Sequence, residues 1–190
     1  MRPFVLSLVT LSLALLATGC GVSPAAPGSL RTAEAPAARA AVEERTLVFN
    51  KRIVYSTIDI LGVGKVYQAK LAAAGIKTIN TLLLAGATRT DRAKLAKETG
   101  ISQKLILTWV NHGDLMRVTG CGPEYARLLE LAGIDTVMEL SKRNSIHLVE
   151  RLAEANDLGG GKKAVHRLPN VVTTTQWVDN AQKFVRLVKY

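Results

Sequence analysis

The chain repeats itself at a fixed distance, and that constrains its fold more than any other feature. Leu61-Gly62-Val63-Gly64-Lys65-Val66-Tyr67-Gln68-Ala69-Lys70-Leu71, with Ala74-Gly75-Ile76-Lys77-Thr78-Ile79 after it, returns 58 residues later. The second copy reads Thr119-Gly120-Cys121-Gly122-Pro123-Glu124-Tyr125-Ala126-Arg127-Leu128-Leu129, then Ala132-Gly133-Ile134-Asp135-Thr136-Val137. Two glycines, a tyrosine, a leucine, an Ala-Gly-Ile triplet and a threonine recur in register, the mark of an internal structural repeat. The likeness continues downstream. Leu95-Ala96-Lys97 matches Leu152-Ala153-Glu154 at offset 57, and Trp109-Val110-Asn111 matches Trp177-Val178-Asp179 at offset 68. The slip of about 11 residues falls on Gly159-Gly160-Gly161-Lys162-Lys163 and the stretch to Pro169, a loop inserted in the second copy. Each unit is too small to bury a good core alone, so the two are expected to close on each other as one pseudo-symmetric domain.

The local patterns are helical. Val66, Leu71 and Ala74 mark a short amphipathic helix. Thr90 to Thr99 forms another, ended by Gly100 where a C-terminal glycine belongs. Ser102 caps the next, with Leu105, Ile106, Trp109 and Val110 on one face. Pro123 suits the first turn of a helix starting after Gly122. A last helix is expected to open at Thr173 to Thr175, with Trp177, Ala181, Phe184, Val185 and Val188 on its apolar face. Leu95 to Trp109 also has the outline of a helix-turn-helix with Ser102 to Asn111 as reading helix, but only Gln103, Lys104 and Thr108 would face outward. The fold class expected is all-α.

The N-terminus has a different character. Arg2 precedes an apolar run from Phe4 to Leu16, shorter than the roughly 20 residues a spanning helix needs. Small residues then lead to Ala17-Thr18-Gly19-Cys20. This resembles a bacterial lipoprotein signal, with Ala17 at a place that usually holds leucine. The resemblance implies cleavage after residue 19, lipid attachment at Cys20 and export. Gly21 in second place implies the outer membrane in a Gram-negative cell. Residues 20–47, rich in Ala and Pro, read as a flexible tether that cannot bury enough apolar surface to order itself. The folded region is expected at 48–190, with units of about 48–117 and 118–190.

From Cys20 onward the chain holds 24 basic and 15 acidic residues, a net of +9. The excess is uneven: 11 basic against 4 acidic over 51–117, and 10 against 8 over 118–190. With Cys20 acylated, Cys121 is the one remaining thiol, and no intramolecular disulfide forms.

The succession helix, Gly-apolar-Gly, helix resembles the helix-hairpin-helix motif. In that family the hairpin amides and the start of the second helix hold a nucleic-acid phosphate without reading sequence, as expected of an anion at free N–H groups. The candidate phosphate-binding hairpin is Gly62, Val63, Gly64 and Lys65, its glycines letting a ligand come close. Its counterpart Gly120, Cys121 and Gly122 is followed by Pro123 and Glu124, which repels phosphate, and reads as structural. Val63 and Cys121 are expected to point inward. Gln68 departs from the motif, which has a small residue there, as Ala126 is in the second copy. The region from about Ile58 to Lys189 is similar to the tandem helix-hairpin-helix domain classed as domain of unknown function 4332, on the strength of Gly-x-Gly, Tyr125-Ala126, the Ala-Gly-Ile-x-Thr signatures and Trp109-Val110-Asn111. That resemblance implies a fold and no activity.

Signs of catalysis are thin. His112, His147 and His166 are scattered and expected to be solvated; no hydrolase, phosphate-loop or zinc-protease motif occurs. Glu150 and Glu154 share one helical face and read as solvated. Trp109 and Trp177 read as core anchors. The expectation is a lipid-anchored, non-enzymatic binding or scaffolding protein of the envelope without metal or cofactor, its partners the membrane and an unidentified protein. Sequence-independent binding of nucleic acid (DNA) through the first hairpin is the alternative.

Overall fold

The computed structural model describes residues 55–157 and 163–190. The signal, Cys20, the tether and most of the glycine-lysine loop lie outside the described residues. A 3-10 turn, Thr57–Asp59, precedes eight α-helices: α1 Lys65–Ala73, α2 Ile79–Ala85, α3 Arg89–Thr99, α4 Gln103–Leu115, α5 Pro123–Leu131, α6 Val137–Leu140, α7 Ser145–Asp157 and α8 Val171–Ala181. There is no strand among the described residues, only an isolated antiparallel bridge between Ser56 and Thr78. The all-α expectation holds.

The shared residues of the two copies do the same work in both. Ala-Gly-Ile is a helix stop. After α1, Gly75 takes φ +79°, Ile76 N–H reaches Leu71 O at 2.8 Å and Gly75 N–H reaches Ala72 O at 3.0 Å. After α5, Gly133 takes φ +75°, with Ile134 to Leu129 and Gly133 to Glu130 both at 2.9 Å. This paired bonding is the Schellman ending, which needs a residue tolerant of positive φ and brings an apolar residue back onto the helix. The threonine two places on caps the next helix: Thr78 accepts Thr81 N–H and Thr136 accepts Glu139 N–H, both at 3.3 Å.

The same holds in the core. Tyr67 meets Trp109 edge to face at 5.2 Å, and Tyr125 meets Trp177 at 5.0 Å, both with 61° between the rings. Both tryptophans are buried. In each unit the first helix packs on the third, the second on the fourth and the third on the fourth. Helix α4 also packs on α5, and its last seven residues, Trp109 to Leu115, are all buried. The second half of α4 is thus a core element, while its first turns, with Lys104 exposed and Gln103 and Thr108 half-buried, lie at the surface. The described residues all fall within one compact unit rather than two beads.

Three differences separate the structure from the sequence reading. In the first copy the described element before the hairpin is only the 3-10 turn, whereas α4 precedes the second hairpin. The last helix is capped by Asn170, whose side chain accepts Thr173 N–H at 2.9 Å, and it ends at Ala181. Phe184, Val185 and Val188 therefore lie on a C-terminal tail, not on the helix, and Val185 is exposed.

That tail is stitched across both units. Lys189 N–H reaches Ala87 O at 2.8 Å, and buried Arg92 donates to Gly86 O and Lys189 O, both at 2.9 Å. Arg117 donates to Val185 O at 3.2 Å and lies over the Phe184 ring at 4.7 Å. Tyr190 donates to Asn111 Oδ1 at 3.2 Å. The insertion in the second copy is held by Asn156, which bonds both N–H and C=O of Val165, at 2.9 and 3.2 Å.

Candidate functional site

In the first hairpin the two glycines have separate duties. Gly62 takes φ +91°, and a Cβ there would sit 3.5 Å from Trp109 Nε1. Gly120 takes φ +83° and stands 3.4 Å from Trp177 Nε1 in the same sense. These glycines turn the chain and admit an indole edge beneath the hairpin. Both glycines remain exposed on their outer side. Gly64 is the open position, since a Cβ there would touch nothing within 4 Å. It is the N-cap of α1, accepts Gln68 N–H at 2.9 Å, and supplies no side-chain cap. The amides of Lys65, Val66 and Tyr67 thus lack a carbonyl one turn back. Val63 points inward as expected, 3 % exposed, and Lys65 stands in solvent.

Beside α1 runs an open cleft of about 450 Å³, lined by Ser56, Lys65, Gln68, Ala69 and Lys77 among others. Gln68 is half-buried on its wall, whereas Ala126, at the equivalent place, is buried. The longer side chain at position 68 thus forms part of the wall of a cleft that also carries Lys65 and Lys77.

The second hairpin is built otherwise. Cys121 is 1 % exposed, and burial drives its thiol pKa far above the ordinary range, which makes it an apolar spacer rather than a nucleophile. Pro123 removes one first-turn amide of α5, and Glu124 is exposed beside it. The two hairpins lie side by side: a Cβ on Gly122 would be 3.8 Å from Tyr55 Oη, and a cleft of about 660 Å³ is lined by Tyr55, Asp59, Leu61, Gly120, Glu124 and Tyr125 among others.

Exposure also separates the hairpins. Ile58, Leu61 and Val66 are 37, 43 and 70 % exposed. Their counterparts 58 residues on are Met116, which is buried, and the polar Thr119 and Glu124.

Several polar residues matter that the sequence reading passed over. His112, expected in solvent, is 2 % exposed and shares a 3.0 Å hydrogen bond between Nε2 and Glu130 Oε2, while its Nδ1 has no partner. Arg127 pairs with the same Glu130 oxygen. Burial raises the pKa of Glu130, but the bonds and charges of His112 and Arg127 more than reverse this and leave it below the usual carboxylate range. Asp114 and Arg117 pair at 2.6 Å inside the core, and burial raises the Asp114 pKa against the pull of Arg117 and of Val137 N–H. The i, i+3 spacing of Asp114 with Arg117 and Arg127 with Glu130 was visible in the sequence, but it does not distinguish a core pair from a solvated one. His147, His166, Glu150 and Glu154 are exposed. Among the described residues, no three of His, Cys, Asp and Glu gather as a metal ion would need, and no helix is long and apolar enough to cross a membrane.

No curated protein and no solved structure matches the chain. One family model does, described as Domain of unknown function (DUF4332), over residues 61–184, a span that takes in both hairpins, both tyrosine–tryptophan pairs and all eight helices. The chain belongs to that family.

Proposed function

We propose that this is a non-enzymatic binding or scaffolding protein of the cell envelope, exported by residues 1–19, held on a membrane by lipid on Cys20, and presenting two helix-hairpin-helix units on a tether. The observation that carries this reading is the placement of the two hairpins on one face, with the first left open at Gly64, Lys65 and Val66. The side chains with reactive chemistry support it, being tied into the structure: His112 holds Glu130, Asp114 holds Arg117 and Val137, and Cys121 is enclosed. Two experiments test it. Cys20→Ser should abolish labelling by radioactive fatty acid and release the chain from the membrane fraction; unchanged labelling rejects the anchor. The acylated protein cross-linked in envelope extract should capture a defined partner that Lys65→Glu loses. An unaltered capture by that variant removes the first hairpin from the binding face.

The second reading is sequence-independent nucleic-acid binding. Lys65 and Lys77 on one cleft beside the uncapped start of α1 favour it. It requires affinity that falls steeply with salt, is lost on Lys65→Glu, survives Glu124→Lys, and takes a nuclease-sensitive form in the envelope capture. Absence of any shift of duplex or single-stranded DNA at low salt rejects it.

A further inference from the structure

Within the first unit, the tip from Leu61 to Val66 combines three properties, of which the second unit shares only the last, a turn backed by its own tryptophan. Two apolar side chains stand in solvent, Leu61 at 43 % and Val66 at 70 % exposure. A lysine lies directly between them in sequence, also in solvent. The backbone that carries them is rigid, because Val63 is buried under the turn, its N–H held by Ile60 O at 3.0 Å, and Trp109 backs Gly62. An exposed apolar pair beside a cation is the surface chemistry of a membrane interface: the apolar groups enter the headgroup boundary while the cation stays among the phosphates.

Charge favours an anionic surface. The segment 51–117 carries 11 basic and 4 acidic residues, and Lys65, Lys70 and Lys77 are all exposed on or next to α1. Asp59 is exposed at the same end and opposes this, but its carboxylate already accepts Ser56 N–H at 2.8 Å. The way the chain enters the fold agrees. Thirty-four residues separate Cys20 from Tyr55, and Tyr55 lines the same cleft as Leu61. The chain from the anchor thus joins the fold at its hairpin end. The second tip offers Thr119, Pro123 and Glu124 in the matching places, which are polar, neutral or acidic.

We propose that the tip Leu61–Val66 docks on an anionic lipid surface, with Leu61 and Val66 in the interface and Lys65 among the headgroup phosphates. The geometry of approach rests on the lipid anchor proposed above; the lipid affinity does not. Docking would hold the first hairpin against the bilayer and turn the rest of the domain away from it.

The test uses the chain from residue 20 with Cys20→Ser, so that no acyl group contributes, and sedimentation with vesicles. One set is phosphatidylcholine alone and the other contains equal parts of phosphatidylglycerol. The chain is expected to sediment with the anionic vesicles and hardly with the neutral ones. Lys65→Glu, a change of two charges at the surface, should lower partitioning by roughly thirtyfold. The pair Leu61→Ser and Val66→Ser should lower it by at least about tenfold with the helical circular dichroism unchanged. A Val66→Trp chain should be quenched by brominated lipid. Equal partitioning of the Leu61→Ser, Val66→Ser chain and its parent overturns the proposal, as does an unquenched Val66→Trp. If that same double variant retains duplex DNA binding that Lys65→Glu loses, and vesicles are not bound, the site is a nucleic-acid one and the proposal fails. Failure here leaves fatty-acid labelling of Cys20 to be read independently, and failure of labelling leaves the vesicle result standing.

Discussion

The carboxylate of Asp114 accepts the main-chain N–H of Val137 at 2.9 Å, in the place where the main-chain carbonyl of Tyr55 accepts Ile79 N–H, at 3.1 Å, in the first copy. A side chain has taken over a backbone duty. In the first unit an extended stretch, Tyr55 and Ser56, runs beside the start of α2 and is bridged to Thr78; in the second, that position is occupied by the end of α4. There Asp114 supplies the acceptor with its side chain, and Arg117 balances its charge at 2.6 Å. Asp114→Ala should destabilise the fold by about 3–5 kcal/mol, because it removes the carboxylate partner of buried Arg117 and the acceptor of the Val137 amide. Asp114→Asn keeps an acceptor for Val137 and should cost less. Denaturation in urea, compared at equal slope, measures both.

Acid should loosen the junction between α4 and α5. The Glu130 pKa lies below its ordinary value in the fold, held there by His112 and Arg127. A depressed carboxylate contributes stability above its unfolded pKa and loses it as pH falls through the lower folded value. Glu130→Gln should therefore be less stable than the parent at neutral pH. The gap should narrow as pH drops below about 4.3, the unfolded pKa, and close below the folded one. A gap that stays constant across this range would show that the stabilisation is not ionic.

Close approach of α4 to the end of α2 depends on Gly86, where a Cβ would stand 2.6 Å from Val110 Cγ2 and 3.2 Å from Leu82 O. Gly86→Ala should cost about 1–3 kcal/mol through overpacking. Val110→Ala opens a space at the same contact, so the double variant should be more stable than the sum of the two single losses predicts. A double-mutant cycle by thermal or urea unfolding reads that coupling directly.

What could be read in the sequence follows from what the repeat encodes. Ala-Gly-Ile-x-Thr is a helix stop joined to a helix start, and each residue is needed for a local reason, so its recurrence showed in the sequence, as did the correspondence of Trp109 with Trp177 at a different offset. Ser102 and Gly100 were legible for the same reason. The tail was not. Phe184, Val185 and Val188 continue a helical spacing past Ala181, but distant partners, Ala87, Arg92, Asn111 and Arg117 among them, hold that segment as an extended strap. His112 was misjudged because burial of a lone histidine depends on Glu130, 18 residues away on another helix. At the hairpin, sequence located the turn and the lysine. It could not tell that Gly62 is backed by an indole while Gly64 is bare, since both glycines look alike in the motif.

The family match ends at residue 184, and the six residues beyond it do structural work that the repeat does not provide. Arg92 is 2 % exposed, and it donates to carbonyls at Gly86, Ala87 and Lys189. Removing residues 185–190 takes away the Lys189 carbonyl from Arg92, the Val185 carbonyl from Arg117 and the Lys189–Ala87 main-chain bond. Hydrogen bonds from charged donors are worth about 1.5–3 kcal/mol each, and a charged donor left buried costs more than the bond it loses. A chain ending at Phe184 should therefore lose several kcal/mol, unless water reaches the freed guanidinium groups. Arg92→Leu separates the two effects, since it removes the donor together with its need for an acceptor. If the tail acts mainly by satisfying Arg92, truncation should cost much less in the Arg92→Leu background than in the parent. Equal losses in both backgrounds would place the stabilisation in the burial of Val188 and the contact of Arg117 with Phe184 and Val185 instead.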